Sequence, residues 1–155
     1  MSDSLSNVTF TRRQMLAAAG SAVVLGFSAR AALADVAATE KAISEVVGDK
    51  TLNKGRVDLT LPEIAENGSM VPLEVEVESP MTESDHVKAV HVFAEGNPSP
   101  EVAIFHFTPA NGRAWASTRI RLAKTQDIVA VAEMSDGSMY TARQEVRVTI
   151  GGCGG

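Results

Sequence analysis

The last five residues of the chain, Gly151-Gly152-Cys153-Gly154-Gly155, combine one nucleophilic side chain with four glycines. Cys153 is the only cysteine among the 155 residues, so the chain has no internal disulfide, no CxxC redox pair and no multi-cysteine metal site. Because glycine has the widest backbone freedom, we expect residues 151–155 to form a flexible arm that exposes the thiol. Fully extended, the three residues after Ile150 would reach about 10 Å beyond the last strand.

Cys153 lacks the surroundings that a catalytic cysteine needs. A cysteine nucleophile requires a lowered pKa or a base held beside it, and a glycine arm holds no such geometry. We therefore interpret Cys153 as an attachment point on which other enzymes act, in a protein that is not itself an enzyme. Two alternatives stay open: a structural or adhesion module that forms an intermolecular disulfide, and a thiol peroxidase or oxidoreductase with a lowered thiol pKa.

The N-terminal segment has the features of an export signal. Arg12 and Arg13 precede an apolar stretch over 15–27, which is too short to span a bilayer comfortably, and a small-x-small cleavage sequence ends at Ala34. The paired arginines resemble the bacterial twin-arginine class of signal. We therefore expect residues 1–34 to be removed and the mature protein to be periplasmic, with no membrane anchor.

Composition argues against a nucleic-acid partner and against a metal centre. The net charge is −5, and residues 1–34 hold three arginines and one aspartate, so the remaining 121 residues carry −7. An acidic protein has no basic footprint for nucleic acid. The three histidines, His86, His91 and His106, show no recognised metal-ligand spacing, so we expect structural or surface roles for them and neither a metal nor a cofactor.

The hydropathy pattern predicts a helix followed by an all-β domain, together occupying residues 35–150. A short amphipathic helix is indicated over Asp35–Val47, with Val36, Ile43, Val46 and Val47 on one face. After it the hydropathy period changes to two, as in strands with one buried face, and turn residues such as Asn67-Gly68 separate the runs.

Seven short strands are predicted in this domain. They cover 57–61, 71–77, 86–94, 102–107, 114–122, 127–135 and 139–150. Strands separated by tight turns, without helices between them, favour an antiparallel, immunoglobulin-like β-sandwich. The aromatic side chains are expected mainly in its core: Phe93, Phe105, Phe107 and Trp115.

The whole chain resembles the SoxY family, the sulfur-carrier subunit of the bacterial Sox thiosulfate-oxidation system. The resemblance rests on the twin-arginine signal, the helix before an all-β domain, the run Leu61-Pro62-Glu63-Ile64-Ala65-Glu66-Asn67-Gly68 and, most specifically, the terminal Gly-Gly-Cys-Gly-Gly. It implies a swinging arm of Gly151, Gly152, Gly154 and Gly155 around a covalent attachment site at Cys153.

The resemblance also implies a set of partners. In that family the c-type cytochrome SoxAX oxidatively joins thiosulfate to the cysteine, the hydrolase SoxB removes sulfate, and the sulfane dehydrogenase SoxCD oxidises the remaining sulfur. SoxZ, a second small β-sandwich protein, forms a heterodimer with the carrier. The carrier itself is non-catalytic and holds no cofactor.

Overall fold

A computed structural model of the protein describes residues 36–152, all within one compact unit, Asp35–Gly155. The predicted signal, with Arg12, Arg13 and the cleavage site at Ala34, lies outside the described residues, as do Cys153, Gly154 and Gly155.

A helix, α1, spans 36–47 and ends at Gly48, whose positive φ of 59° closes the helix in the left-handed conformation. Val47 packs against the larger sheet, with Ile43 and Val46 partly buried beside it. Val36, predicted on this face, is instead 39% exposed, because helical side chains point toward the N-terminus and the first residue therefore projects beyond the helix. No helix within 36–152 is long and apolar enough to cross a membrane.

The structure has nine strands over the described residues, and the all-β prediction is confirmed. The strands are β1 (Leu52–Lys54), β2 (Val57–Thr60), β3 (Ile64–Asn67), β4 (Val71–Val77), β5 (Val87–Ala94), β6 (Glu101–His106), β7 (Ala114–Ile120), β8 (Gln126–Met134) and β9 (Met139–Ile150). The seven predicted strands correspond to β2 and to β4 through β9; β1 and β3 are additional.

The strands form two sheets that pack face to face. The larger sheet has the order β1-β9-β8-β5-β6, with β3 also paired to β9, and the smaller has the order β2-β4-β7. All pairings are antiparallel except those of β1 and β3 with β9, which are parallel and depart from the antiparallel expectation. The alternation along β4 is that of a half-buried strand, with Val71, Leu73, Val75 and Val77 at most 2% exposed.

The aromatic residues do not share one core. Phe107 belongs to the core between the sheets, with Phe105 partly buried against it, whereas Phe93 is buried on the outer face of β5 beneath α1. Trp115, predicted to be buried, is 45% exposed. Since Ala114 is buried in the core, the alternation of β7 turns its neighbour Trp115 outward, where the Arg113 guanidinium lies 6.0 Å from the ring centroid.

Candidate functional site

The strand β9 carries the chain to the predicted attachment site. One edge of β9 pairs with β8, and the opposite edge pairs with β1 near its start and with β3 at its end. In the last pairing Asn67 lies opposite Ile150, which is the final residue of the strand. The ladder with β8 ends at Val146, so the last four residues of β9 are paired with β3 on one edge, and on the other the Val148 N–H donates to the Thr125 hydroxyl at 2.9 Å.

Three distant chain segments meet where β9 ends, through backbone hydrogen bonds. Gly68 donates its N–H to the Ile150 carbonyl at 2.7 Å, and Leu122 donates its N–H to the Gly68 carbonyl at 2.8 Å. Gly152 completes the set by donating its N–H to the Leu122 carbonyl at 2.9 Å. We call this arrangement, formed by Gly68, Leu122, Ala123, Gly151 and Gly152, the glycine junction.

The glycine junction leaves no room for side chains. A Cβ at Gly68 would collide with the Leu122 carbonyl oxygen and lie 2.7 Å from the Gly152 nitrogen, and a Cβ at Gly152 would lie 2.8 Å from the carbonyl carbon and oxygen of Gly68. A Cβ at Gly151 would collide with the Ala123 carbonyl oxygen. Each of the three glycines therefore permits a close backbone approach that a larger residue would block.

Two buried polar side chains hold the loop that carries Leu122 and Ala123. Asn97, 4% exposed, donates from Nδ2 to the Arg121 carbonyl at 2.8 Å and accepts at Oδ1 from the Ala123 N–H at 3.0 Å. Gln126 donates to the same Oδ1 at 3.0 Å and accepts from the Gly96 N–H at 2.6 Å. Because the polar groups of both side chains are satisfied, this network fixes the loop without an unpaired buried atom.

The structure places the first two glycines of the predicted arm against the body of the molecule. Gly151 is exposed, but Gly152 is buried and its N–H is hydrogen bonded. We expected the flexible tether to begin directly after Ile150, whereas the described contacts continue for two more residues, to Gly152. The flexibility of the arm beyond Gly152 stays a prediction.

Sequence reasoning did not find Gly68, Leu122 or Asn97 as contributors to this site. The pair Asn67-Gly68 predicts a turn and ends the run that carries the family resemblance, but neither observation predicts its contact with Gly152; the Asn67 side chain does accept the Ser69 N–H at 2.8 Å in such a turn. Asn97 was visible only as a loop residue. Their roles depend on contacts between segments 24 to 83 residues apart, for which a single sequence carries no signal.

The histidines do not come together as a metal site. The His86 ring contacts the Thr82 carbonyl at 3.0 Å, and His91 Nδ1 lies 2.8 Å from Glu101 Oε1, while His106 is exposed. No group of three or more potential metal ligands occurs among residues 36–152.

The main buried charge of the described region is Glu95, which follows β5. Its carboxylate pairs with Arg143 at 2.6 Å, and Arg143 also contacts Asp127 at 3.0 Å. Burial raises the pKa of Glu95 above its usual value, and the negative charges of Asp127 and Glu40 add to this effect, which the Arg143 guanidinium opposes. The cluster joins the end of β5 to β8 and β9 and contains no nucleophile.

The acidic face of β4 is a solvated surface. Glu74 and Glu78 are exposed, and Glu76 forms a bidentate pair with Arg113. The hydrogen bond from Arg113 holds the pKa of Glu76 below its usual value, so this carboxylate stays ionised. The three carboxylates therefore do not form an acid/base pair.

Comparison with known proteins identifies the family. The family model for the sulfur oxidation protein SoxY matches residues 43–153. The solved structure of the sulfur carrier protein SoxY from Chlorobium limicola f thiosulfatophilum is 34% identical, with a TM-score of 0.60, and the match covers 72% of this chain and 96% of that one. No match was found among curated proteins.

Other solved structures share the fold alone. A superoxide reductase (neelaredoxin) from Ignicoccus hospitalis is 18% identical, with a TM-score of 0.54 over 59% of this chain and 78% of that one. A putative superoxide reductase from Thermotoga maritima is also 18% identical, with a TM-score of 0.53 over 63% and 93%. Because unrelated activities often share one fold, these matches describe architecture only. The family match, by contrast, runs from α1 to Cys153, and the chain belongs to the SoxY family of sulfur oxidation proteins.

Proposed function

We propose that the protein is a non-catalytic carrier of sulfur intermediates in periplasmic thiosulfate oxidation, with the cargo bound covalently to Cys153. The observation that carries this proposal is the family match, which extends through the strand β9 and the glycines to Cys153 itself. The Chlorobium protein, 34% identical to this chain, is a sulfur carrier. A thiol flanked on both sides by glycines in the sequence suits an attachment point better than a catalytic nucleophile, which needs a base held beside it.

The chemistry on Cys153 proceeds by joining and then dismantling a sulfur chain. The cysteine thiolate and thiosulfate form an S–S bond to give Cys–S–S–SO3⁻; the two electrons released pass to the c-type cytochrome SoxAX and the thiol proton passes to solvent. Water then attacks the sulfonate sulfur in SoxB, which releases sulfate and two protons and leaves Cys–S–S⁻. The dehydrogenase SoxCD then oxidises this remaining sulfur with oxygen atoms from water, releases protons to solvent and passes the electrons to an external electron acceptor. Since no second cysteine is present, the cargo cannot be discharged as an internal disulfide.

The proposal includes a stable partner, SoxZ, and transient contacts with SoxAX, SoxB and SoxCD. Exposed apolar side chains support a protein with partner surfaces. Trp115 is 45% exposed, and three residues close in sequence to the glycine junction are 58% to 67% exposed: Ile64, Met70 and Ile150.

The test is the mass of the C-terminal peptide from protein purified out of cells supplied with thiosulfate. We expect sulfur-containing adducts on Cys153 and none in Cys153→Ser. A matched control adds Thr149→Cys to Cys153→Ser, which places a thiol at an exposed position four residues earlier on β9, and this relocated thiol should stay unmodified.

An unmodified Cys153 in the wild-type protein would contradict the proposal, as would equal modification of the relocated thiol. A dimer that dissociates on reduction, whose loss in Cys153→Ser leaves sulfur oxidation unchanged, would instead support the structural disulfide module.

A further inference from the structure

Seven of the glycines within residues 36–152 fall into two structural classes. Gly48, Gly55, Gly112 and Gly137 have positive φ values between 59° and 93°, and the Cβ position of each is uncrowded. Their role is conformational, because the left-handed region favours glycine. The glycines of the junction are the opposite case: their φ values lie outside that region, but a Cβ on any of them would collide with backbone atoms.

Gly68 must therefore be glycine because a Cβ atom would collide with the backbone of Leu122 and Gly152, and not because its φ angle is positive. Its carbonyl accepts from Leu122 while its N–H donates to Ile150, so both of its peptide groups are engaged with other segments. The same Leu122 accepts the Gly152 N–H at 2.9 Å. One glycine in the loop after β3 thus allows the last described residue before Cys153 to be hydrogen bonded to the body of the molecule.

This hydrogen bond fixes the last point of the backbone before Cys153. Consecutive Cα atoms are about 3.8 Å apart, so the Cα atom of Cys153 stays within about 3.8 Å of the anchored Gly152 Cα atom. An arm that was free from Ile150 onward would let residue 153 reach about 10 Å from Ile150. Each backbone residue that must be ordered when the arm enters a partner lowers the affinity by roughly fivefold to thirtyfold. Anchoring residues 151 and 152 in advance removes that cost for two residues.

We propose that Gly68 is a positioning residue for the carrier thiol: by admitting the backbone of Gly151 and Gly152, it fixes the point from which Cys153 is presented to partner enzymes. The presentation of Cys153 to partner enzymes rests on the proposed carrier function, but the anchoring of Gly152 does not. The anchoring itself is a property of the described chain and is measurable without any partner.

The experiment compares Gly68→Ala with Gly48→Ala. Gly48→Ala strains the backbone at the end of α1 without crowding and serves as the control for a general loss of stability. The first measurement is the exchange rate of the Gly152 amide by NMR. We expect protection of this amide in the wild type and in Gly48→Ala, and exchange about twofold to tenfold faster in Gly68→Ala, as for one lost hydrogen bond.

The second measurement uses a nitroxide label on Cys153, the only cysteine. We expect faster label motion in Gly68→Ala than in the wild type or Gly48→Ala. Gly152→Ala, whose Cβ would meet Gly68 from the other side, should give the same faster motion and lies at the chain end, where its effect on folding is smallest. An unprotected Gly152 amide in the wild type, or identical label motion in all four proteins, would overturn the inference.

The third measurement separates this inference from the carrier function. In cells supplied with thiosulfate, Gly68→Ala should carry at least about fivefold less adduct on Cys153 than Gly48→Ala does. Equal adduct with a mobile label would show that the anchor does not position the thiol for partners and would overturn the proposal. Absence of adduct even in the wild type would contradict the carrier function, while amide exchange and label motion would still decide whether Gly68 anchors the arm.

Discussion

At the scale of single residues, the proposed attachment point and the main buried charge of the described region come from different parts of the chain. The thiol at Cys153 lies one residue beyond a hydrogen-bonded glycine. The buried acid Glu95 lies at the end of β5, where its partner Arg143 comes from β9. Because the function proposed for Cys153 is that of an attachment point, no titratable side chain needs to be placed beside it.

Because Glu95 pairs with Arg143, we expect the loss of stability in Arg143→Met to depend on pH. Since the folded pKa of Glu95 lies above its unfolded value, the native state binds the proton more readily, and this group's contribution to stability falls as the pH rises through the range between the two pKa values. In Arg143→Met the carboxylate keeps its burial and loses its counter-charge. We expect a loss of about 1–3 kcal/mol in the free energy of unfolding at pH 7 and a smaller loss near pH 5.

Urea unfolding at the two pH values measures this effect. The control is Glu95→Gln, which removes the charge and keeps the size of the side chain. Arg143→Met made in that background should show no recovery at low pH; an equal recovery there would assign the pH dependence to Asp127 or Glu40, the other acids near the cluster.

At the scale of elements, the loop between β7 and β8 supports the end of β9. Asn97 reaches this loop from the turn after β5 and binds both the Arg121 carbonyl and the Ala123 N–H. The buried Gln126 binds the same side chain from the start of β8. The anchored end of the chain thus depends on side chains from two other connections.

We expect Asn97→Ala to loosen this loop. The change leaves the part-buried Ala123 N–H and Arg121 carbonyl without their side-chain partner and removes one of the two acceptors of the Gln126 amide, and the cost in the free energy of unfolding is about 1–3 kcal/mol. Amide exchange of Ala123 and Gly152 should accelerate together. Ser99→Ala, at an exposed position in the same turn, is the control and should leave both stability and exchange unchanged; a fast Ala123 amide with an unchanged Gly152 amide would show that the loop and the arm are independent.

The elements also show where sequence reasoning succeeds and where it stops. Segments in which apolar and polar residues alternate, such as Val71–Val77, predict strands because one face of the strand is buried and the other is exposed to solvent. The strands β1 and β3 were not predicted, since they are three and four residues long and their parallel pairing with β9 is a long-range contact. The type of residue at the site was readable from Gly-Gly-Cys-Gly-Gly, but the contact between Gly68 and Gly152 follows from that same long-range pairing.

At the scale of the whole molecule, two features flank the described domain along the sequence: the predicted signal before α1 and the proposed carrier cysteine after β9. The predicted cleavage site at Ala34 comes two residues before the start of α1, so cleavage there would remove none of the described elements. The similarity to superoxide reductases at 18% identity illustrates that the sandwich alone does not determine function.

Replacing both Arg12 and Arg13 by lysine should block export. Lysine keeps the positive charge but not the paired guanidinium groups of a twin-arginine signal, so we expect the full-length chain to accumulate in the cytoplasm. Intact mass of the protein in separated periplasmic and cytoplasmic fractions measures the outcome. Arg30→Lys, inside the same segment, is the control and should be exported and cleaved normally; normal export of the double lysine variant would rule out the twin-arginine route.

The length of β9 has a mechanical consequence for a protein whose terminus is proposed to dock into partner enzymes. The strand runs from Met139 to Ile150; its residues up to Val146 pair with β8 and the residues after it pair with β3, and the hydrogen bonds of the antiparallel ladder with β8 lie perpendicular to the strand direction. Tension applied along the strand through the tail is shared by many hydrogen bonds loaded simultaneously in shear, and they are not broken one at a time by peeling. Under the proposed function, an enzyme that takes hold of the tail and later releases it therefore pulls against β8 and β3 together.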